Sequence, residues 1–369
     1  MRAKRDTVPR PVSIAYFMSS ERSAQSDFAA FLGSHPRLAE QDPEVAAVLA
    51  EFPAASGPKR VEWLTSHGGL SGARLWRVEM RDTSFVLRQW PAEHPTPERL
   101  RFIHAVLAHA FYRGCTRLSV PVAARDGETF VVRQGRLWEL APWLPGEASF
   151  ECEPAGGKLA NAMHLLAQFH LACGDFDPHS GSSPGLVERT RRLAELDARL
   201  LASLFRAVES SPVNSTIDEL ARKLLATLPH AAARPLLAPA ASLQFPLQPC
   251  LRDIWHGNLL FVGDEVTGVV DFGAMQVDSP ALDVARLLGS MASDDAEKWR
   301  SGLAAYEARR PLSADEHAAI PAADASGTVL GCVNWLRWLY VERRQFSDLA
   351  AVEMRMKSLA MRLRHLARA

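Results

Sequence analysis

The sequence predicts a two-lobed α+β fold, with a small β-rich lobe carrying one helix and a larger helical lobe carrying one hairpin. Three observations predict it. Short β-like runs cluster between Val61 and Trp143, the segment LPGEASF at 144–150 reads as a linker, and beyond about residue 155 the apolar spacing is mostly helical. The expected organisation is a partly disordered leader with an N-terminal helix over 1–55, a small lobe over 56–145 and a helical lobe over 146–369.

Composition sets the outer limits. A chain of 369 residues, 47% hydrophobic, is long enough for two cores. Lys plus Arg (42) equals Asp plus Glu (42), so no global field calls for nucleic acid or an acidic membrane as partner. Five cysteines, an odd number without a CxxC pair, favour a reduced, cytoplasmic compartment. No apolar run reaches the roughly 18–20 residues of a membrane span. MRAKRDTVPR followed by VSIAYFM has the order of a signal peptide, but the apolar part is short and no small-residue cleavage site follows. The leader is therefore expected to be disordered or an over-extended start, and whether residues 1–25 belong to the mature protein stays open.

The elements can be taken in order. A helix is expected over 36–52, then LWRVEM (75–80) and SFVLRQW (84–90) as a hairpin around Arg81-Asp82-Thr83. ERLRFIHAVLAHAFYRG keeps helical spacing at Leu100, Ile103, Leu107 and Phe111 until Gly114 stops it. TFVVRQ (129–134) and RLWELAPW (136–143) are the next strands. Residues 158–173, 186–205 and 217–228 read as three helices. In the last helix Leu349, Val352, Met356, Leu359, Leu363 and Leu366 form one stripe with Arg and Lys opposite. A basic helix of this kind can bind a membrane surface; closing the core of the helical lobe is the preferred expectation.

The chemistry concentrates in LRDIWHGNLLFVGDEVTGVVDFG, residues 251–273. LLFV (259–262) and VTGVVDF (266–272) flank a three-residue turn. Pairing 262 with 266 pairs 258 with 270 and brings Asn258 within one register step of Asp271. Two hard oxygen donors at the open end of a hairpin suit Mg²⁺, which takes few carboxylates and completes its shell with water and phosphate. Two registers are conceivable, with Asp253 as a catalytic carboxylate or with HGN at 256–258 as a decayed HGD. The second register would put Gly263 where a metal ligand is needed. The first supplies Asp253, Asn258 five residues on, and Asp271 thirteen further, the layout of the kinase catalytic Asp, Asn and Asp-Phe-Gly.

With these residues in place, the chain resembles the aminoglycoside phosphotransferase and choline kinase-like family, whose fold is protein-kinase-like. The resemblance runs from about Glu62 to Tyr340 and includes DSPALDVARLL (278–288), similar to the family's D-P-x-x-D-x-A-R segment. It implies a nucleotide lobe in which Gly68, Gly69, Ser71 and Gly72 approach the phosphates and Arg88 takes the place of the kinase lysine. Glu98 is offered as the partner of Arg88, or equally as an N-terminal helix carboxylate favoured by the macrodipole. The Pro142 carbonyl and Leu144 amide are implied for adenine recognition.

The same resemblance makes Asp253 the base, Asn258 and Asp271 the metal ligands, and Asp283 the carboxylate bracing the catalytic loop. His170 is expected as a structural hydrogen-bonder. Leu251 stands where His or Tyr is usual, and His256 is the candidate to restore the lost polar contact.

The implied activity is transfer of the γ-phosphoryl of Mg-ATP, with GTP as the alternative nucleotide, to a hydroxyl of a small molecule. The acceptor would be of aminoglycoside, choline or sugar-like type, bound by the insert at about 180–245. Asp283 follows Asp271 by only twelve positions, too few for the peptide-docking loop of a protein kinase. Glu147, Glu151, Glu153, Trp335 and Trp338 would suit a cationic acceptor, and read equally well as loop charges and core tryptophans. Rival expectations are a nucleotide-binding pseudokinase scaffold and a plain helical binding module. Nothing in the pattern sets an oligomeric state.

Overall fold

A computed structural model describes residues 42–64, 72–232, 243–346 and 348–368, which fall into two compact units. The first takes the described residues up to Ala108 together with Val120–Trp143; the second takes His109–Ser119 and everything from Leu144.

In the first unit, helix α1 (Pro43–Leu49) starts where the Asp42 carboxylate accepts the Val45 amide at 3.1 Å. The expected helix over 36–52 is thus shorter among the described residues, and 1–41 lie outside them. PEVAAVL is apolar on nearly every side and is buried accordingly. Val45, Val48, Leu49 and Phe52 share one core with Trp76, Val78, Leu87 and Trp138. Residues 43–55 therefore belong to the small unit, not to a separate leader. Each of these large side chains contributes about 1.5–3 kcal/mol by leaving water.

The sheet against that core contains β1 (Arg60–Trp63), β2 (Arg74–Glu79) and β3 (Ser84–Gln89), followed by helix α2 (Pro97–Tyr112), β4 (Val131–Arg133) and β5 (Arg136–Pro142). Its order is β1-β2-β3-β5-β4, antiparallel throughout. The strand expected over 129–134 shortens to three residues. Gln134 and Gly135, with φ of 49° and 71°, make a two-residue turn that matches the strand twist.

The second unit begins with α3 (Gly156–Cys173), β6 (His179–Gly181), α4 (Pro184–Ala194), α5 (Ala198–Ser210) and α6 (Ser215–Ala232). The single helix expected over 186–205 is broken at 195–197. There Asp197 turns its carboxylate onto the Leu200 amide at 2.8 Å, and a capping acid starts a new helix more readily than it continues an old one.

The chain continues through β7 (Phe245–Cys250), β8 (Leu259–Val262), β9 (Glu265–Val269) and β10 (Gln276–Asp278). It finishes with α7 (Pro280–Met291), α8 (Ala296–Glu307), α9 (Ala314–Leu336) and α10 (Leu349–Arg368). Val352, Met356, Leu359 and Leu363 of α10 are buried with Leu224 and Leu228 of α6 and Val329 and Leu336 of α9. The apolar stripe of the last helix therefore closes a core. Trp335 is buried in that core and stacks edge-on with Trp338, ring centroids 5.3 Å apart, which is the core-tryptophan reading. Among the described residues no helix is long and apolar enough to cross a membrane.

One sheet is absent from the sequence reading. β7 is the centre of an antiparallel β10-β7-β6 sheet although it carries Pro246 and Pro249. Proline normally excludes a central strand. Here Pro246 is paired only with Ser180 of β6 and Pro249 only with Val277 of β10, so each has a strand on one side alone.

Candidate active site

β7 delivers the chain into a loop that ends in a short 3₁₀ turn, His256–Asn258, and then enters β8. Asp283, fully buried in the first turn of α7, holds the start of this loop. Its Oδ2 accepts the Leu251 amide at 2.6 Å and its Oδ1 the Arg252 amide at 2.7 Å. His170 of α3 is buried beside it, with Nε2 at 3.2 Å from Asp283 Oδ2 and Nδ1 at 2.7 Å from the Tyr306 hydroxyl. Burial pushes the His170 pKa down, outweighing the opposing pull of Asp283. A neutral ring then donates from Nε2 to the carboxylate and accepts from the tyrosine.

Arg252 adopts a left-handed φ of 67° and forms an ion pair with the buried Asp278. This strained residue turns the backbone so that the Asp253 side chain, 56% exposed, leaves the loop. Arg286 of α7 meets that carboxylate at 2.9 Å. Asn258 is buried, and its Nδ2 donates to the Asp253 carbonyl at 3.0 Å. That bond commits the amide nitrogen inward and leaves Oδ1 as the atom offered to a cation.

The hairpin supplies the second oxygen. Its turn holds two residues, Gly263 and Asp264, since Val262 pairs with Glu265 and Phe261 with Val266. This differs by one from the expected three-residue turn. A bulge between Leu260 and Phe261 restores the offset, and Leu259 pairs with Val269. The Val270 amide then donates to the Asn258 carbonyl at 3.0 Å, so Asp271 lies one residue beyond the partner of Asn258. Asp271 has a left-handed φ of 64° and is exposed. An amide oxygen and a carboxylate on adjoining backbone form a hard donor set that fits Mg²⁺.

His256 makes polar contacts with α7. Its amide donates to Ser290 Oγ and its Nδ1 to the Ser290 carbonyl, both at 3.1 Å, and burial lowers its pKa. It therefore anchors the loop to α7. Leu251 is buried among Phe169, Ile254, Leu259 and Leu287 around a cavity of about 10 Å³.

The first unit carries the other group of site residues. Arg88 on β3 lies opposite Glu139 on β5, with Nε 3.6 Å from Oε1, and its guanidinium covers the Trp90 ring at 4.7 Å. His104 of α2 stands 2.8 Å from the other Glu139 oxygen. Burial raises the Glu139 pKa, but the His104 hydrogen bond and the charges of His104 and Arg88 outweigh it and hold the carboxyl below its usual range. Glu98, the partner offered from sequence, is exposed in the first turn of α2, where the helix amides and the Thr96 side chain lower its pKa. A carboxylate in contact with Arg88 is that of Glu139.

Gly72 has a φ of +73°, and no atom among the described residues crowds the place of a Cβ there; Gly68, Gly69 and Ser71 lie outside the described residues. Pro142 ends β5 opposite Phe85 and belongs to the first unit, whereas Leu144 belongs to the second.

Sequence reasoning missed Glu139, His104 and Arg286. Glu139 had a readable signal, a lone acid in the apolar strand LWELA. Arg286 stood inside the quoted DVAR segment without a role.

Three comparisons bear on this arrangement. Residues 63–319 match the phosphotransferase enzyme family, APH. A homoserine kinase of Azorhizobium caulinodans is 29% identical over 251 residues, 66% of this chain and 70% of that protein. One from Rhodopseudomonas palustris is 30% identical over 208 residues, 54% of this chain and 57% of that one, so the match spans little more than half of it. Among solved structures, an aminoglycoside phosphotransferase of Alicyclobacillus acidocaldarius superposes with TM-score 0.57 at 17% identity, covering 87% of this chain and 96% of that one. A microcompartment-associated aminopropanol kinase superposes with TM-score 0.53 at 17% identity, covering 85% and 93%. The fold is thus the protein-kinase-like one of these enzymes, and the chain belongs to the phosphotransferase enzyme family.

Proposed function

We propose that this protein is a small-molecule kinase that moves the γ-phosphoryl of Mg-ATP to an alcohol. The observation that carries this is the Asp253–Asn258–Asp271 constellation: an exposed loop carboxylate bound through its backbone carbonyl to Asn258, with Asn258 and Asp271 flanking the open end of one hairpin. Asp253 orients the acceptor hydroxyl and takes its proton as the new O–P bond forms and the bond from the γ-phosphorus to the β–γ bridging oxygen breaks, with ADP as the leaving group. Asn258 Oδ1 and the Asp271 carboxylate hold Mg²⁺, which neutralises phosphate charge when bound. Arg88, fixed by Glu139, meets the triphosphate. The Pro142 carbonyl and Leu144 amide recognise the base. Asp283 and His170 keep the loop in register. Positioning and charge neutralisation supply most of the acceleration.

The relatives named homoserine kinases support an alcohol acceptor of low mass. ATP is the proposed donor, and competition by GTP tests the alternative. Purified protein with Mg-ATP should phosphorylate a small alcohol, and Asp253→Ala should abolish turnover while a nucleotide-induced thermal shift persists. Full turnover by that variant would refute the assignment. A pseudokinase would show the thermal shift and no turnover in the unmodified chain.

A further inference from the structure

Five arginines gather about the catalytic loop, and their acids do not match them in number. Arg286 is taken by Asp253, Arg252 by Asp278, and Arg362 by Asp324 and Asp294. Arg189 of α4 is bound to the Ala323 carbonyl and to Ser326 Oγ, which carry no charge. Arg355 of α10 makes no hydrogen bond or ion pair among the described residues. It lies instead over the Trp255 ring, 5.8 Å from the centroid, two residues from Asp253 in sequence.

Burial and the neighbouring Arg286 charge push the Arg355 pKa down to about 10, with Asp253 pulling the other way. Burial and the charges of Arg252 and Arg286 bring Arg189 to about 10 as well. A half-buried guanidinium surrounded by like charges is costly unless an anion joins it. Its flat fork matches a carboxylate bidentately.

We infer, on the assignment of Asp253 as base, that the acceptor is an anionic alcohol, a hydroxy acid whose carboxylate is bound by Arg355. Arg286 has a second task here. It balances Asp253 so that an anionic acceptor can approach a carboxylate base without facing its full repulsion. The transferred phosphoryl is the other oxyanion available. In the proposed function its charge is met by Mg²⁺ and Arg88, which leaves Arg355 to the acceptor. This reverses the cationic acceptor that the glutamates and tryptophans suggested. Glu153 pairs with Lys158 at 3.2 Å, and Trp335 is core.

The test uses the full chain with Mg-ATP and acceptors that differ in charge: 4-hydroxybutyrate, 1,4-butanediol and 4-amino-1-butanol, with homoserine against homoserine amide. Expected is a kcat/KM about tenfold or more higher for each carboxylate than for its uncharged or cationic counterpart. Arg355→Gln should collapse that preference towards one by raising KM for the acid, with the KM for ATP unmoved, and Arg355→Lys should restore part of it. Circular dichroism and the ATP thermal shift show whether each variant is folded. Equal or better turnover of the neutral or cationic alcohols would overturn the inference and leave the kinase reading standing. A rise in the KM for ATP instead would assign Arg355 to the phosphoryl group and overturn it too. Turnover of no acceptor of any charge would remove the kinase reading and this inference with it.

Discussion

The Asp283 carboxylate, buried at the start of α7, accepts the backbone N–H of Leu251 at 2.6 Å. The same side chain takes the Arg252 amide and the His170 ring, so three donors from two other segments converge on two oxygens. Asp283→Asn keeps the volume but replaces one oxygen with a donor, and one of the three must then face another N–H. We expect a loss of about 2–3 kcal/mol, read from urea denaturation, with turnover falling further than nucleotide binding. Unchanged stability would show that the loop is held by other means.

Leu251 occupies the position where His or Tyr is usual in the resembled family, and its surroundings decide what it does. Its neighbours Phe169, Ile254, Leu259 and Leu287 offer no polar partner to an imidazole. Leu251→His should therefore lower stability by about 1–3 kcal/mol and leave kcat no higher. A gain in kcat would mean that this chain is a weakened enzyme awaiting that side chain.

Glu139→Gln tests how Arg88 is fixed. The variant keeps a hydrogen-bond acceptor for His104 and loses the charge facing Arg88, so the KM for ATP should rise about tenfold with a smaller change in kcat. The acid behaviour follows from the sign of the shift. Glu139 is held below its ordinary value in the folded state by His104 and Arg88, with Trp90 also in contact. Its contribution is complete above the ordinary carboxylate pKa and fades as pH falls through the depressed one. The native protein should lose stability over that acid range more steeply than Glu139→Gln, as thermal melts across pH would show.

Part of this was legible in the chain. Asn258 and Asp271 are legible together because a hairpin converts spacing into proximity, and the 258–270 pairing holds although the turn is one residue shorter; Asp253 rests on its five-residue spacing to Asn258. The bulge compensating for it has no mark in the sequence. Asp283 was readable as a brace through its motif, but the three donors meeting it come from distant segments. Glu98 looked like the partner of Arg88 because it opens the next helix. Cross-strand register instead places Glu139 opposite Arg88, and register is a tertiary property. Arg355 lies on the polar side of an amphipathic helix, where nothing local separates a solvated arginine from one that packs over a tryptophan of another segment.

The two prolines of β7 reach beyond the geometry of its sheet. A six-residue strand lacking two of its amide donors makes a poor template for another chain. The apolar segment entering the catalytic loop is thus protected against intermolecular pairing while the protein is still unfolded, as gatekeeper residues protect other exposed strands. Replacing Pro246 and Pro249 with β-branched residues would strengthen the sheet and remove that safeguard from nascent chains.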